Sequence, residues 1–357
     1  MIKQIGVGVI GTGWCGGIRA ETIAKSPLVK FMDVAENRPE RLAEISKLTK
    51  PRNATADYKE LLKQDDLDAI IISATPEITH FPMARDALKA GKHVFMEKPI
   101  AIELNEADEL IALANRNKLK FTIGYSQRFN PKFAYVRKAI QDGTIGQPVS
   151  AMVSRHITRG LGTKISGRGK LSPAAMECTH DLDFVLWCLA PAKPARVYSQ
   201  LNYGVMKKLN NGADIGDTQW ITVTMDNGLS FVVGGGWSLP MGYPNFSTTW
   251  IEMVGTDGAL LVDDSHRDVI LNTVGKGMQL PMSTMPGEAV DHVFAGPMAA
   301  ETIHFIEAVA LDREVMVTPE HARMVMEVYM AADLSAETNQ VVNLPMSPVK
   351  LAAVGGA

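Results

Sequence analysis

The chain has 357 residues, enough for about two domains at roughly 100–200 residues each. Apolar residues make up 46 % and charged residues 21 %, which excludes a globally disordered chain. Lys and Arg total 36 against 39 Asp and Glu, a net charge of −3, so nothing electrostatic favours nucleic acid or an anionic membrane.

The first third alternates apolar runs with amphipathic segments. Ile5-Gly6-Val7-Gly8-Val9-Ile10 reads as a short buried strand. One positive charge before it and the glycines within it do not make a secretory leader. A helix is predicted over 13–25, ended by Ser26-Pro27. A second strand covers 29–35, and Pro39 suits the first turn of a helix running to Leu48. Further strands are predicted at 69–73, 93–96 and 121–124. Helices intervene at 79–90, stopped by Gly91, and at 104–118, where Ala107, Leu110, Ile111 and Ala114 share a face. This alternation predicts a parallel sheet covered on both faces, an α/β domain over 1–124.

The pattern changes after Tyr125. Longer strands are predicted at 148–156, 195–205, 218–225, 229–234 and 249–254, with an Asn227-Gly228 hairpin between two of them. Helices are predicted at 178–189, 299–310 and 321–337. The domain over 125–357 therefore reads as α+β, with a large, mostly antiparallel sheet. Residues 157–170 read as a long basic loop carrying Arg159, Lys164 and Arg168, either a surface loop or a lid over a polar ligand. The longest apolar runs, such as 293–300, fall far short of the roughly 18 residues that span a bilayer. Cys15, Cys178 and Cys188 have no zinc-type spacing, and an odd count suits no disulfide framework; a reducing cytoplasm fits best.

Gly11-Thr12-Gly13-Trp14-Cys15-Gly16 fits G-x-G-x-x-G and lies between a predicted strand and a predicted helix. Gly11 permits the tight turn, Gly13 lets backbone approach a pyrophosphate, and Gly16 allows close helix–strand packing. The helix N-terminus adds donors and partial positive charge. An acidic residue is expected about 20 residues on, at the end of the second strand. Glu36 is there, 20 residues after Gly16. Its carboxylate can accept from ribose hydroxyls and repel a 2′-phosphate, so NAD is the expected cofactor. Arg38, with Asn37 and Arg41, can form a rim that tolerates a phosphate, which leaves NADP open.

Ser73-Ala74-Thr75-Pro76, His80, Ala90-Gly91-Lys92-His93-Val94 and Glu97-Lys98-Pro99 resemble the glucose–fructose oxidoreductase / inositol dehydrogenase / rhizopine-catabolism (Gfo/Idh/MocA) family. Gln127-Arg128-Phe129-Asn130-Pro131, residues 177–183, 301–310 and 318–344 extend the match over almost the whole chain. The resemblance implies an N-terminal Rossmann domain and a C-terminal α/β domain with a large open sheet. It implies an NAD(P)-dependent dehydrogenase or reductase of a sugar, cyclitol or related polyol, and a homodimer or homotetramer formed through that sheet. It also implies that Lys98 holds the substrate hydroxyl.

Removing hydride from a secondary alcohol also requires removing the hydroxyl proton, so a base and an alkoxide-stabilising group are needed. Lys98 follows a strand's carboxyl end, where doubly wound sheets bind ligands. Glu97 is expected to bind the cofactor or position Lys98, and Pro99 to fix the backbone, a cis bond being one way. His180 is the candidate base or proton relay, with Asp183 three residues on to orient it or to pair elsewhere. Family dehydrogenases often carry an aspartate four residues before this histidine; here that residue is Met176. Glu177 is the candidate substitute, the other reading being that His180 works with Lys98 alone. Thr75, Pro76 and His80 are expected along the nicotinamide side, and Arg128 at the substrate. Cys178 reads as an apolar filler, and no metal ligands are expected among His304, Glu307 and His321. A reductase of a keto-sugar, and a dinucleotide-binding regulator without catalysis, remain the competing functions.

Overall fold

The computed structural model describes residues 4–166, 171–210, 212, 215–245, 247–263, 269–284 and 286–346. In chain order the first elements are β1 (Ile5–Ile10), α1 (Trp14–Ala24), β2 (Val29–Ala35), α2 (Pro39–Thr49), β3 (Asn53–Thr55) and α3 (Tyr58–Leu62). Then come β4 (Ala69–Ile72), α4 (His80–Lys89), β5 (His93–Glu97), α5 (Leu104–Arg116) and β6 (Phe121–Gly124). The next are α6 (Pro131–Gln141), β7 (Pro148–Thr158), α7 (Arg159–Ser166), α8 (Thr179–Leu189), β8 (Pro194–Asn202) and α9 (Val205–Leu209). They are followed by β9 (Thr218–Met225), β10 (Ser230–Leu239), β11 (Ser247–Gly255), β12 (Ala259–Asp263), α10 (Met298–Ala310) and α11 (Pro319–Thr338). No helix among the described residues is long and apolar enough to cross a membrane.

The chain divides into two compact units, 1–129 with 286–323, and 130–285 with 324–357. In the first, six strands form a parallel sheet in the order β3-β2-β1-β4-β5-β6. All six residues of β1 and all four of β4 are buried, as strands covered on both faces require. The order reverses between β1 and β4, the point at which such sheets bind ligands. Pro39 takes the first turn of α2, and α5 starts with a reciprocal Glu103–Glu106 capping box. Segment 286–323, expected in the second domain, packs with this unit. Phe305, Ile306, Val309 and Ala310 of α10 repeat at helical spacing and join Val7, Val9 and Phe95 in one core.

The second unit is built on a seven-stranded sheet ordered β12-β11-β7-β10-β9-β8, ending at Val342–Asn343. β7 and β10 run parallel; the other neighbours are antiparallel. Asn227-Gly228 makes the β9–β10 hairpin, with Gly228 at φ +88°. α8 is buried along nearly its whole length, and its Phe184 meets Phe133 of α6 at 5.0 Å between ring centroids.

The expected basic loop is ordered differently. Strand β7 runs on to Thr158 and α7 covers most of the remainder. Gly162 lets this helix lie against Trp237, where a Cβ would come within 2.7 Å of the indole side chain. Leu161 joins Trp237, Ile157, Met176 and Met206 in a small apolar cluster. Arg159 donates from Nε to the Ser238 carbonyl at 2.9 Å. Arg168 lies outside the described residues.

Candidate active site

In the first unit the glycine turn joins β1 to α1. Gly11 has φ +80°, and a Cβ there would strike the backbone of Ala74. A Cβ on Gly16 would collide with the Gly11 carbonyl. Gly13 is open, with nothing nearer its missing Cβ than Arg38 Nη2 at 3.9 Å. Ser73 Oγ, beside this turn, is buried without a hydrogen-bond partner. An open glycine at a helix N-terminus and an unspent buried hydroxyl fit a dinucleotide.

Glu36 is buried at the end of β2. Its Oε2 accepts from the Thr12 amide at 2.8 Å and the Thr12 hydroxyl at 3.0 Å. Its Oε1 accepts from the Arg38 amide and from Arg38 Nε at 2.9 Å. Burial opposes the charge, but the bonds from Arg38 and Thr12 prevail and hold this carboxyl down at about 2. Arg38 is 61 % exposed at its side chain, so it lies in front of the carboxylate. Asn37 is exposed beside it. A cleft of about 320 Å³ is lined by Gly13, Trp14, Arg38, Arg41 and Glu288, among others. Trp14 is half exposed and donates from Nε1 to Glu288 at 2.7 Å. Arg41 Nε donates to the Thr12 carbonyl at 2.5 Å.

Lys98 is half-buried just beyond β5, and both the Lys98-Pro99 and Thr75-Pro76 bonds are cis. Thr75 and Pro76 are exposed. His80, expected along the same surface, is only 1 % exposed. Its Nδ1 lies 2.8 Å from the Pro99 carbonyl and its Nε2 3.1 Å from the Ala74 carbonyl. It ties the two proline segments together from behind rather than lining them. Glu97 is held in part by the protein itself. Its Oε1 accepts from Arg19 Nε and Nη2 at 2.9 and 2.6 Å, so it serves the protein rather than a ligand at that oxygen. Arg19 is fully buried, bonds Glu301 and Thr302 as well, and lies 4.0 Å over the Phe95 ring. Burial disfavours the Arg19 cation, yet Glu97 and Glu301 outweigh it. Burial, then Glu97, pushes the Cys15 thiol up to about 12. Arg128 is also turned inward: 4 % exposed, it donates to the Met316 carbonyl at 3.0 Å. His304 accepts from the Met316 amide at 2.9 Å and packs on Phe129, a structural role.

In the second unit His180 lies half-buried on the first turn of α8, with Asp181 and Asp183 buried on the same helix. Residues 174–178 form a π-helical turn leading into it, where the sequence predicts an α-helix from Cys178. Arg155 of β7 fixes this turn. Its Nε donates to Asp181 Oδ2 at 2.8 Å and its Nη2 to the Glu177 carbonyl at 2.5 Å. Glu177 is 6 % exposed, with its carboxylate 3.7 Å from the same guanidinium. Burial opposes the Arg155 cation, but Asp181 and Glu177 raise its affinity for the proton. The Glu177 carboxylate thus faces Arg155 at the position next to Met176. Burial raises the Cys178 thiol, which suits an inert filler.

Arg19 and Arg155 escaped the sequence reading, although a signature was present. Arg19 follows Cys15 by four and precedes Ile23 by four on the buried face of α1. Arg155 shares the inward register of Ala151, Val153 and Ile157 on β7. A charge at a core-facing position implies a buried partner.

A family model described as "Oxidoreductase family, NAD-binding Rossmann fold" matches residues 5–125. A second, "Oxidoreductase family, C-terminal alpha/beta domain", matches residues 137–344. The chain is 28 % identical over 268 residues to an uncharacterized oxidoreductase, YrbE, of Bacillus subtilis, covering 74 % of this chain and 76 % of that protein. It is 26 % identical over 351 residues to a scyllo-inositol 2-dehydrogenase (NAD(+)) of Bacillus subtilis, covering 96 % and 97 %. A crystal structure of scyllo-inositol dehydrogenase from Lactobacillus casei, with bound NAD(H) and scyllo-inositol, has the same fold. Its TM-score is 0.80 at 20 % identity, over 96 % of this chain and 99 % of that one.

Proposed function

The chain belongs to the Gfo/Idh/MocA oxidoreductase family, and from that premise we propose that it oxidises a secondary hydroxyl of a cyclitol, sugar or related polyol. The observation that carries this reading is the near full-length match to an NAD-dependent scyllo-inositol dehydrogenase, together with the open glycine turn and buried Glu36. NAD, when bound, supplies the hydride acceptor. The 11–16 turn, Glu36 with Asn37, and Thr75-Pro76 are the residues proposed to hold it. The inward-facing His80, Glu97 and Arg128 support these segments.

The proton is assigned to Lys98 and His180. The Lys98 ammonium holds the substrate oxygen and favours its alkoxide form. His180 takes the proton, its ordinary titration range lying near neutrality. Asp183, three residues along the same helix, can orient the imidazole. Glu177 is assigned to Arg155 rather than to proton transfer.

A homodimer or homotetramer is part of the proposal. On the outer face of the large sheet, Trp250, Ser154, Gly234 and Trp220 stand side by side across four strands, and both tryptophans are exposed. Light scattering on the purified chain checks the assembly, and a monomer would refute it. Three free cysteines suit a reducing cytoplasm.

The test of function is NAD reduction followed by absorbance against a panel of inositols, aldoses and linear polyols. Turnover on at least one cyclic or linear polyol supports the reading. NAD binding with no turnover in either direction on any member, corresponding ketones included, would leave the regulator reading in its place.

A further inference from the structure

The helical turn before α8 begins with two amide N–H groups, those of Ala174 and Ala175, that a helix start leaves without intrahelical partners, whereas Met176 already donates to the Ser172 carbonyl four residues back at 3.0 Å. Each of the two is capped by a side chain. Ala174 donates to Gln219 Oε1 at 3.1 Å and Ala175 to Ser172 Oγ at 3.1 Å. Both caps converge on one carboxylate. Asp333 Oδ2 accepts from Ser172 Oγ at 2.8 Å, and Oδ1 accepts from Gln219 Nε2 at 3.0 Å.

We propose that Asp333 is a positioning residue: its carboxylate sets the orientation of the two side chains that cap the turn leading to His180. A carboxylate only accepts, so Gln219 must present its NH₂ to Asp333. That leaves the amide oxygen for the Ala174 N–H. The remaining NH₂ hydrogen goes to Ser199 Oγ at 3.1 Å. Likewise the Ser172 hydroxyl must donate to Asp333, which leaves its lone pairs for the Ala175 N–H. Without the carboxylate, Gln219 can turn over and set a donor against a donor.

The surroundings fit a residue kept for more than stability. Among the described residues the donors to Asp333 are the neutral Ser172 and Gln219, and burial pushes its carboxyl up to about 6. A neutral residue there would cost the fold less. The proposal rests on the dehydrogenase reading for its kinetic arm alone.

The experiment compares the full-length parent, Asp333→Ala, Asp333→Asn and Ser172→Ala, with NAD and whichever polyol the parent oxidises. Asp333→Ala should lower kcat by about 10- to 100-fold, as misplacement of a reacting group by a fraction of an ångström does, with the substrate KM changed far less. Amide hydrogen exchange over 174–180 should speed up by at least about ten-fold, with peptides of the first unit unchanged. Asp333→Asn, which keeps one acceptor and one donor, should recover most of the activity. Ser172→Ala removes one cap and should show a smaller loss, and in the Asp333→Ala background it should add little. Unchanged exchange over 174–180 in Asp333→Ala overturns the proposal, as does equal loss in the Ala and Asn variants. If Asp333→Ala does not fold, the same exchange readout on Ser172→Ala decides. A parent enzyme with no turnover refutes the dehydrogenase reading, and the exchange result still judges the positioning.

Discussion

Glu36 in the first unit and Asp333 in the second are carboxylates drawn out of water, and their surroundings drive them in opposite directions. Glu36 accepts from two Thr12 groups and from a guanidinium, and its carboxyl drops to about 2. Asp333 accepts from one hydroxyl and one amide, and its carboxyl rises to about 6. Burial pushes both upward; at Glu36 the larger number of donors, a guanidinium among them, outweighs it, and at Asp333 two neutral donors do not. The nucleotide side of the protein is thus built to keep a fixed anion, whereas the helix carrying His180 is braced by a group that titrates. The two carboxylates thus support different residues, the glycine turn in one unit and the helix carrying His180 in the other, and variants can test each by itself.

The sharpest test uses the proposed proton carriers. Lys98→Ala and His180→Ala should each cut turnover by about 10²- to 10⁴-fold, the usual contribution of a placed acid–base group, with NAD affinity nearly unchanged. Lys98→Arg should fail as well, since a guanidinium fork does not reproduce a point charge that can lose its proton. Near-normal turnover of both alanine variants would remove the mechanism. A large loss of NAD binding in His180→Ala would tie that residue to the cofactor instead.

Glu36→Gln should act on the other side. Losing a charged acceptor should weaken NAD by about ten-fold or more, in line with roughly 1.5–3 kcal/mol for a hydrogen bond to a charged group. Turnover at saturating NAD should stay close to the parent's. Fluorescence titration with NAD and NADP reads both affinity and discrimination, and the preference for NAD should narrow.

Asp333→Asn should change stability with a defined pH sign. A carboxyl raised in the folded state binds its proton more tightly than in the unfolded chain. Its ionisation therefore costs stability, and that cost grows as pH rises from about 4 to about 6. Removing the charge should raise the melting temperature at pH 8, with the gain vanishing near pH 4. Glu36 has the reverse sign. Its contribution is complete above the ordinary carboxylate range and is lost as pH falls toward 2. Calorimetry across pH 4–8 measures the first effect. A gain that grew toward acid would contradict the assignment.

The smallest effect is expected at Glu177→Gln. With the carboxylate facing Arg155 and the backbone carbonyl still accepting, turnover should change by less than about three-fold, far below an acid–base contribution. A defect as deep as that of His180→Ala would return Glu177 to the chemistry.

Whatever depends on neighbours along the chain was legible from sequence alone. The strand–glycine–helix unit, the 20-residue spacing to Glu36, the Asn227-Gly228 hairpin and the α/β alternation all follow from local backbone preferences and short periodicities. So did the oxidoreductase family, because its motifs lie in short contiguous stretches of the chain. Tertiary structure decided which charged groups turn inward. It placed His80 behind the proline segments, gave Glu97 to Arg19 and Glu177 to Arg155, and joined 286–323 to the first unit. It also brought Asp333 to Ser172 across 161 residues of sequence. A residue type states which bonds a side chain can make. Which bonds it makes depends on the partners that long-range packing delivers, and no local pattern records them.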